Sequence, residues 1–173
     1  MAHLVLTVVG DDRTGLVRAL ADTVAAHGGN WERSELAELA GAFAGVVVVS
    51  VPDAEEMALT SALRSLEGLL RVTTHTGVDP TASEADGASH VTFEVMGNDR
   101  PGIVRDVTAT LEACGLSIDA LTSRTVAAPM SGGTLFEATV AVRVPADVDV
   151  TTVVSALEQL ASEIQVDITV GDG

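Results

Sequence analysis

Two stretches of this chain carry the same chemically useful residues in the same spacing. The first is Gly10-Asp11-Asp12-Arg13-Thr14-Gly15-Leu16, and the second is Gly97-Asn98-Asp99-Arg100-Pro101-Gly102-Ile103. Gly15 and Gly102 expose backbone N–H groups at what reads as the start of a helix. Those donors, with the helix dipole behind them, suit a carboxylate. Asp11, Asp12, Asn98 and Asp99 can accept hydrogen bonds from an α-ammonium group, so a small zwitterion satisfies both ends of the turn. Arg13 and Arg100 either clamp a ligand carboxylate or sit in a salt bridge or in solvent. In a plainer reading Asp12 and Asp99 cap their helices, with or without a ligand. Asn98 stands where Asp11 stands in the first stretch, which removes one negative charge and favours the second turn for a carboxylate.

Other chemistry finds little support. Asp11-Asp12 offers two adjacent carboxylates to Mg²⁺ without further placed ligands. His27 and His75 lack metal-ligand spacing. Cys114 is the only cysteine, which rules out an internal disulfide and suits a small buried hydrophobe. No nucleophile elbow, phosphate-binding loop or dinucleotide fingerprint occurs. The expectation is therefore no catalytic residues, no metal and no cofactor.

The two turns belong to a longer repeat, His3–Arg18 against His90–Arg105. A buried strand, Leu4 to Val9 or Val91 to Met96, leads to Gly10 or Gly97, where the chain is expected to leave the strand sharply. A helix follows each turn. Its apolar positions are Leu16, Val17, Leu20 and Val24 in the first copy and Ile103, Val104, Val107 and Leu111 in the second, the spacing of one helical face. Pro101 suits a first helical turn, and Gly28 and Gly115 end the two helices.

Hairpins come next. The first runs from Asn30 to Ala40, turns through Gly41–Gly45 and returns over Val46–Val51. The second runs over Ser117–Val126 and returns over Leu135–Val144, with about six extra residues placed at its tip, where insertions cost least. Second helices begin near Asp53 and Asp147, and closing strands cover Arg71–Thr76 and the alternating Val166, Ile168 and Val170.

This order, β-α-β-β-α-β twice, predicts two ferredoxin-like domains of the α+β class, each an antiparallel sheet with its helices on one face. The domains span residues 1–77 and 89–173, joined by a linker at 78–88 rich in Asp, Pro, Ser, Ala and Gly. An uncovered sheet face and free edges predict units packed side by side and a homodimer.

Composition narrows the partners. The 173 residues carry a net charge of −16, and all nine basic residues are arginine. Such a surface repels phosphate backbones and anionic lipid, so neither direct nucleic-acid binding nor membrane association is expected. No apolar run approaches a membrane span and no basic leader precedes one, which gives a cytoplasmic expectation. Apolar residues make up 47% of the chain but aromatics only 2%, so Val, Leu, Ile and Ala must build the cores.

A βαβ unit with Gly-x-Asp-Arg-x-Gly-[Leu/Ile]-Val at its first junction, here Gly10–Val17 and Gly97–Val104, resembles an ACT domain, a small regulatory module that binds amino acids. The second copy, with Arg124–Phe136 as its hairpin, resembles tandem ACT proteins of the glycine cleavage system transcriptional repressor family. The resemblance implies a non-catalytic regulator that senses a small amino acid, glycine or serine favoured, and controls glycine metabolism through a partner regulator. The alternative it leaves open is a regulatory subunit of an amino-acid metabolic enzyme. The repeated turn itself, placed where two apolar elements meet, gives the expectation that the ligand binds at both turns, near an interface between units, with Asn30 and Ser117 at the starts of neighbouring strands as further contacts.

Overall fold

The computed structural model describes residues 1–77, 89–128, 132–164 and 166–171. The chain divides into two compact units, Met1–Ser83 and Glu84–Gly173. The proposed linker, 78–88, lies outside the described residues.

In the first unit, β1 (Ala2–Asp11), α1 (Leu16–Ala26), β2 (Asn30–Leu39), β3 (Ala42–Val51), a 3₁₀ turn (Asp53–Glu55), α2 (Glu56–Arg64) and β4 (Arg71–Thr76) follow in order. In the second come β5 (Ser89–Asn98), α3 (Ile103–Ala113), β6 (Ser117–Ala127), β7 (Thr134–Val144), α4 (Val150–Ile164) and β8 (Val166–Gly171). The sheets are antiparallel, in the orders β2-β3-β1-β4 and β6-β7-β5-β8. Each unit is thus a ferredoxin-like βαββαβ domain.

Alternation along the strands fixes which sheet face the helices cover. Leu4, Leu6 and Val8 of β1 and Val47, Val49 and Val51 of β3 are buried, and they cluster with Leu16, Leu20, Val24, Leu59 and Leu63 of the helices. The second core repeats this with Phe93, Val95, Ile103, Val107, Leu111, Val140, Val142, Val153 and Leu157. Trp31 and Cys114 pack at the edges of their cores, half-buried. Val17 and Val104, expected on the buried helical faces, are 43% and 41% exposed. Each follows the first buried residue of its helix, and one residue on is about 100° around the helix axis.

Two boundaries move for a physical reason. The first strand does not end at Gly10. Gly10 pairs with Phe43 inside β1, and Gly97 pairs with both Phe136 and Val166 inside β5. Gly10 is needed for close approach and not for a bend, because a Cβ there would lie 2.9 Å from the Leu69 carbonyl oxygen and 3.3 Å from the Leu70 side chain. The first hairpin turns only at Ala40-Gly41, both left-handed (φ 52° and 83°). That suits a two-residue hairpin turn, whose backbone twist matches the strands. Residues 42–45 therefore continue β3. Gly45 is small because a Cβ there would collide with the Glu35 carbonyl of β2.

In the second hairpin β6 and β7 each have 11 residues against 10 in β2 and β3. Part of the insertion therefore extends the strands. Within its tip, residues 129–131 lie outside those described. Helix α2 begins at Glu56, after the 3₁₀ turn that takes up Asp53. Helix α4 begins at Val150, where Asp149 accepts a hydrogen bond from the Thr151 N–H at 2.9 Å.

Candidate functional site

The repeated turn leaves the sheet at the end of β1 and of β5. The Asp12 N–H donates to the Gly41 carbonyl at 2.8 Å, and the Asp99 N–H to the Thr134 carbonyl at 2.8 Å, so each turn is anchored to its hairpin. Gly15 and Gly102 then adopt left-handed conformations, φ 92° and 97°, and open α1 and α3. Their carbonyls accept the first helical bonds, from Ala19 at 2.9 Å and Asp106 at 2.9 Å.

No side chain caps either helix. The capping role considered for Asp12 and Asp99 is thereby corrected. Glycine with left-handed geometry occupies the cap position, which leaves the aspartates three residues too early. Among the described residues the helix-start N–H groups are consequently left without side-chain acceptors. Asp11, Asp12, Arg13, Thr14 and Gly15 are exposed and Leu16 is buried; Asn98, Asp99 and Pro101 are exposed, Arg100 and Gly102 intermediate, and Ile103 buried. The left-handed caps also make Gly15→Val and Gly102→Val poor probes, because a β-branched residue there is strained in an otherwise normal fold. Asn tolerates that conformation better.

The two arginines of the repeat have different tasks. Arg13 donates to the carbonyls of Gly68 (2.8 Å) and Leu69 (3.4 Å), tying the turn to the α2–β4 loop. Arg100 instead donates to Asp106 at 3.3 Å and to the Pro101 carbonyl at 3.2 Å. Arg105 also donates to Asp106, at 2.8 and 3.0 Å. The Arg105 guanidinium foremost holds the Asp106 carboxyl below its usual value of 3.8; desolvation opposes it, and Arg100 adds a further lowering. A depressed carboxylate contributes stability that is present above the unfolded-state value and is lost as pH falls through the folded-state value. Asp106→Asn is thus expected to melt below wild type at neutral pH, with the gap closing under acid conditions. Melting curves across that range check it, and a gap that stays constant with pH would show that the charge contributes nothing.

A cavity of about 540 Å³ opens beside the turn of the first unit, lined by Asp11 and Arg13 together with Glu67, Gly68, Leu69 and Arg71 of the α2–β4 loop and the start of β4. Sequence spacing does not point to these loop residues. The signal that finds them is antiparallel pairing of β1 with β4, which sets Arg71 opposite Val9. A groove of about 590 Å³ crosses the uncovered sheet face of the second unit, among Glu94, Met96, Thr122, Glu137 and Asp167, with Arg124 held by Glu137 at 2.7 Å. It includes none of the turn residues.

Asn30 and Ser117 are not brought to the turn of their own unit. Asn30 pairs with Ser50, which pairs with His3 at the start of β1, and Ser117 pairs with Arg143, which pairs with His90. Eight residue steps along β1 separate His3 from Asp11, about 27 Å of strand. That end carries a second repeated feature. Bulges in β2 and β6 set Glu32 3.4 Å from His3 Nδ1 and Asp119 3.2 Å from His90 Nδ1. Arg143 also pairs with Asp119, at 2.6 Å.

Among the described residues no group of His, Cys, Asp or Glu is arranged to hold a metal ion. Among them, too, no helix is long and apolar enough to cross a membrane.

Comparison with known proteins places this geometry. One solved structure, an unknown protein from Galdieria sulphuraria, is 32% identical, with 99% of this chain and 98% of that one covered and a TM-score of 0.84. Another, described as a candidate glycine cleavage system transcriptional repressor, is 19% identical over 98% of this chain and 96% of that one, TM-score 0.71, a likeness that shows the fold. No curated protein matches the chain. The ACT domain family model matches twice, over residues 2–77 and 90–171, each match holding one βαββαβ unit and one glycine-flanked turn, and the chain therefore belongs to the ACT domain family.

Proposed function

We propose that this protein is a non-catalytic regulator that senses a small amino acid at its repeated turns and passes the signal to a partner protein. The observation that carries the reading is the pair of glycine-capped helix starts, whose N–H groups lack side-chain acceptors while Asp11, Asp12, Asn98 and Asp99 stand beside them. The helix ends suit a carboxylate and the neighbouring oxygen acceptors suit an ammonium. Glycine and serine are the ligands favoured, by likeness to the protein described as a candidate glycine cleavage system transcriptional repressor. The control would then be transcriptional and act on glycine metabolism. A net charge of −16 argues that it is exerted through a DNA-binding partner and not by direct contact with DNA. The chain would work in the cytoplasm, as a homodimer.

A thermal-shift screen of the full chain against the twenty amino acids tests this reading. A ligand that binds only the folded state raises the melting temperature. At least one small amino acid, glycine or serine first, is expected to do so by several degrees at saturating concentration. A flat response to all twenty would remove the reading.

A further inference from the structure

The two turns have diverged in charge, and the divergence assigns them different tasks. In the cavity of the first unit, side chains of both signs face the same space without pairing. Arg13 is spent on the Gly68 and Leu69 carbonyls. Asp11, Glu67 and Arg71 line the same cavity, all are exposed, and none of their side chains has a hydrogen bond or ion pair among the described residues.

Strand register fixes the spacing. Val9 lies opposite Arg71, so Val9, Asp11 and Arg71 share one sheet face, and Asp11 is the diagonal neighbour of Arg71. Diagonal neighbours stand about 7–8 Å apart. The nitrogen and carboxyl carbon of an α-amino acid are about 2.5 Å apart, and a charge-assisted hydrogen bond adds about 2.8 Å at each end. Side chains that start from positions this close, and that line one cavity, can approach one small zwitterion from two sides.

The second unit lacks this arrangement at each matching position. Met96, the counterpart of Val9, lies opposite Asp167 and not an arginine. Asn98 replaces Asp11. Asp106, which occupies the place of Ala19 in the first unit, engages Arg100. An amino-acid carboxylate entering there meets Asp167 where the first unit presents Arg71.

Granting amino-acid sensing at these turns, we propose that the first unit is the occupied site, with Arg71 anchoring the ligand carboxylate and Asp11 its ammonium, and that the second turn does not take the zwitterion. This reverses the ranking that follows from Asn98 against Asp11 alone, because Arg71 and Asp167 differ by two charges where Asn98 and Asp11 differ by one.

Calorimetric titration of the full chain with glycine and with L-serine tests the assignment. The expected result is one ligand per chain, a loss of affinity of at least tenfold in Arg71→Ala, partial recovery in Arg71→Lys, and a second site gained in Asp167→Arg. Arg71 is exposed, so the alanine variant should keep the wild-type melting temperature without ligand. Ethanolamine, which is serine without its carboxylate, should bind wild type and Arg71→Ala with the same weak affinity. Two equal sites in wild type, or an Arg71→Ala variant that binds as wild type does, would overturn the assignment and leave amino-acid sensing standing. Failure of wild type to bind either probe, with no shift in the screen of twenty, would overturn both.

Discussion

Gly10→Val is expected to destabilise the first unit by about 1–3 kcal/mol, the usual cost of forcing extra atoms into a packed region, and to deform its cavity. The new Cβ would stand 2.9 Å from a backbone oxygen of Leu69 and 3.3 Å from the Leu70 side chain. Backbone of the α2–β4 loop must then move, and that loop carries Glu67, Gly68 and Leu69 of the cavity wall. The effect is steric and not conformational, because Gly10 is absent from the positive-φ residues of the chain. Gly15→Asn provides the contrast. Its cap conformation is one Asn accepts, and nothing lies within 4 Å of a Cβ placed there, so its stability should change little while a bulky group enters the turn. Urea denaturation of both variants checks the pair. Equal stability of Gly10→Val and wild type would show that the close approach of Leu69 is not a constraint.

Phe93→Ala is expected to have the largest effect on the second unit, about 3–5 kcal/mol, the range for removing a buried phenyl ring. Phe93 is 1% exposed and belongs to a core that shares no residue with that of the first unit. Its counterpart by repeat position is Leu6, fully buried in the first core. Denaturant titration of the variant, followed by far-ultraviolet circular dichroism, should therefore show a separate early transition, followed by the transition of the first unit at its wild-type midpoint. One cooperative transition, shifted as a whole, would mean that the two units do not unfold separately.

The architecture was legible because the chain states it twice. Strand and helix periods and the Gly28 and Gly115 stops recur in register, and each local preference agrees with the fold. What escaped was contact between segments distant in sequence. Gly10 reads as a turn residue by composition, yet it is a strand residue made small by the Leu69 carbonyl. Residues 42–45 read as a loop because Gly, Ala and Phe stand together, yet β1 and β2 draw them into the sheet through pairs such as Phe43 with Gly10 and with Glu38.

The candidate site follows the same division. Gly15, Gly102 and the acidic residues before them are visible as a spaced motif. Arg71 is visible only once β4 is set antiparallel to β1. Asp12 and Asp99 have the composition of helix caps, and the left-handed glycines displaced them from that role by three positions.

Amide hydrogen exchange of the full chain, with and without saturating glycine or serine, tests the central claim most directly, because it locates the ligand without altering a residue. If the protein senses an amino acid at its glycine-capped turns, with the first unit occupied, exchange should slow at the amides of the first turn and the start of its helix, residues 11–18. Slowing confined to other segments, with both turns exchanging at the ligand-free rate while the ligand is demonstrably bound, would contradict the account.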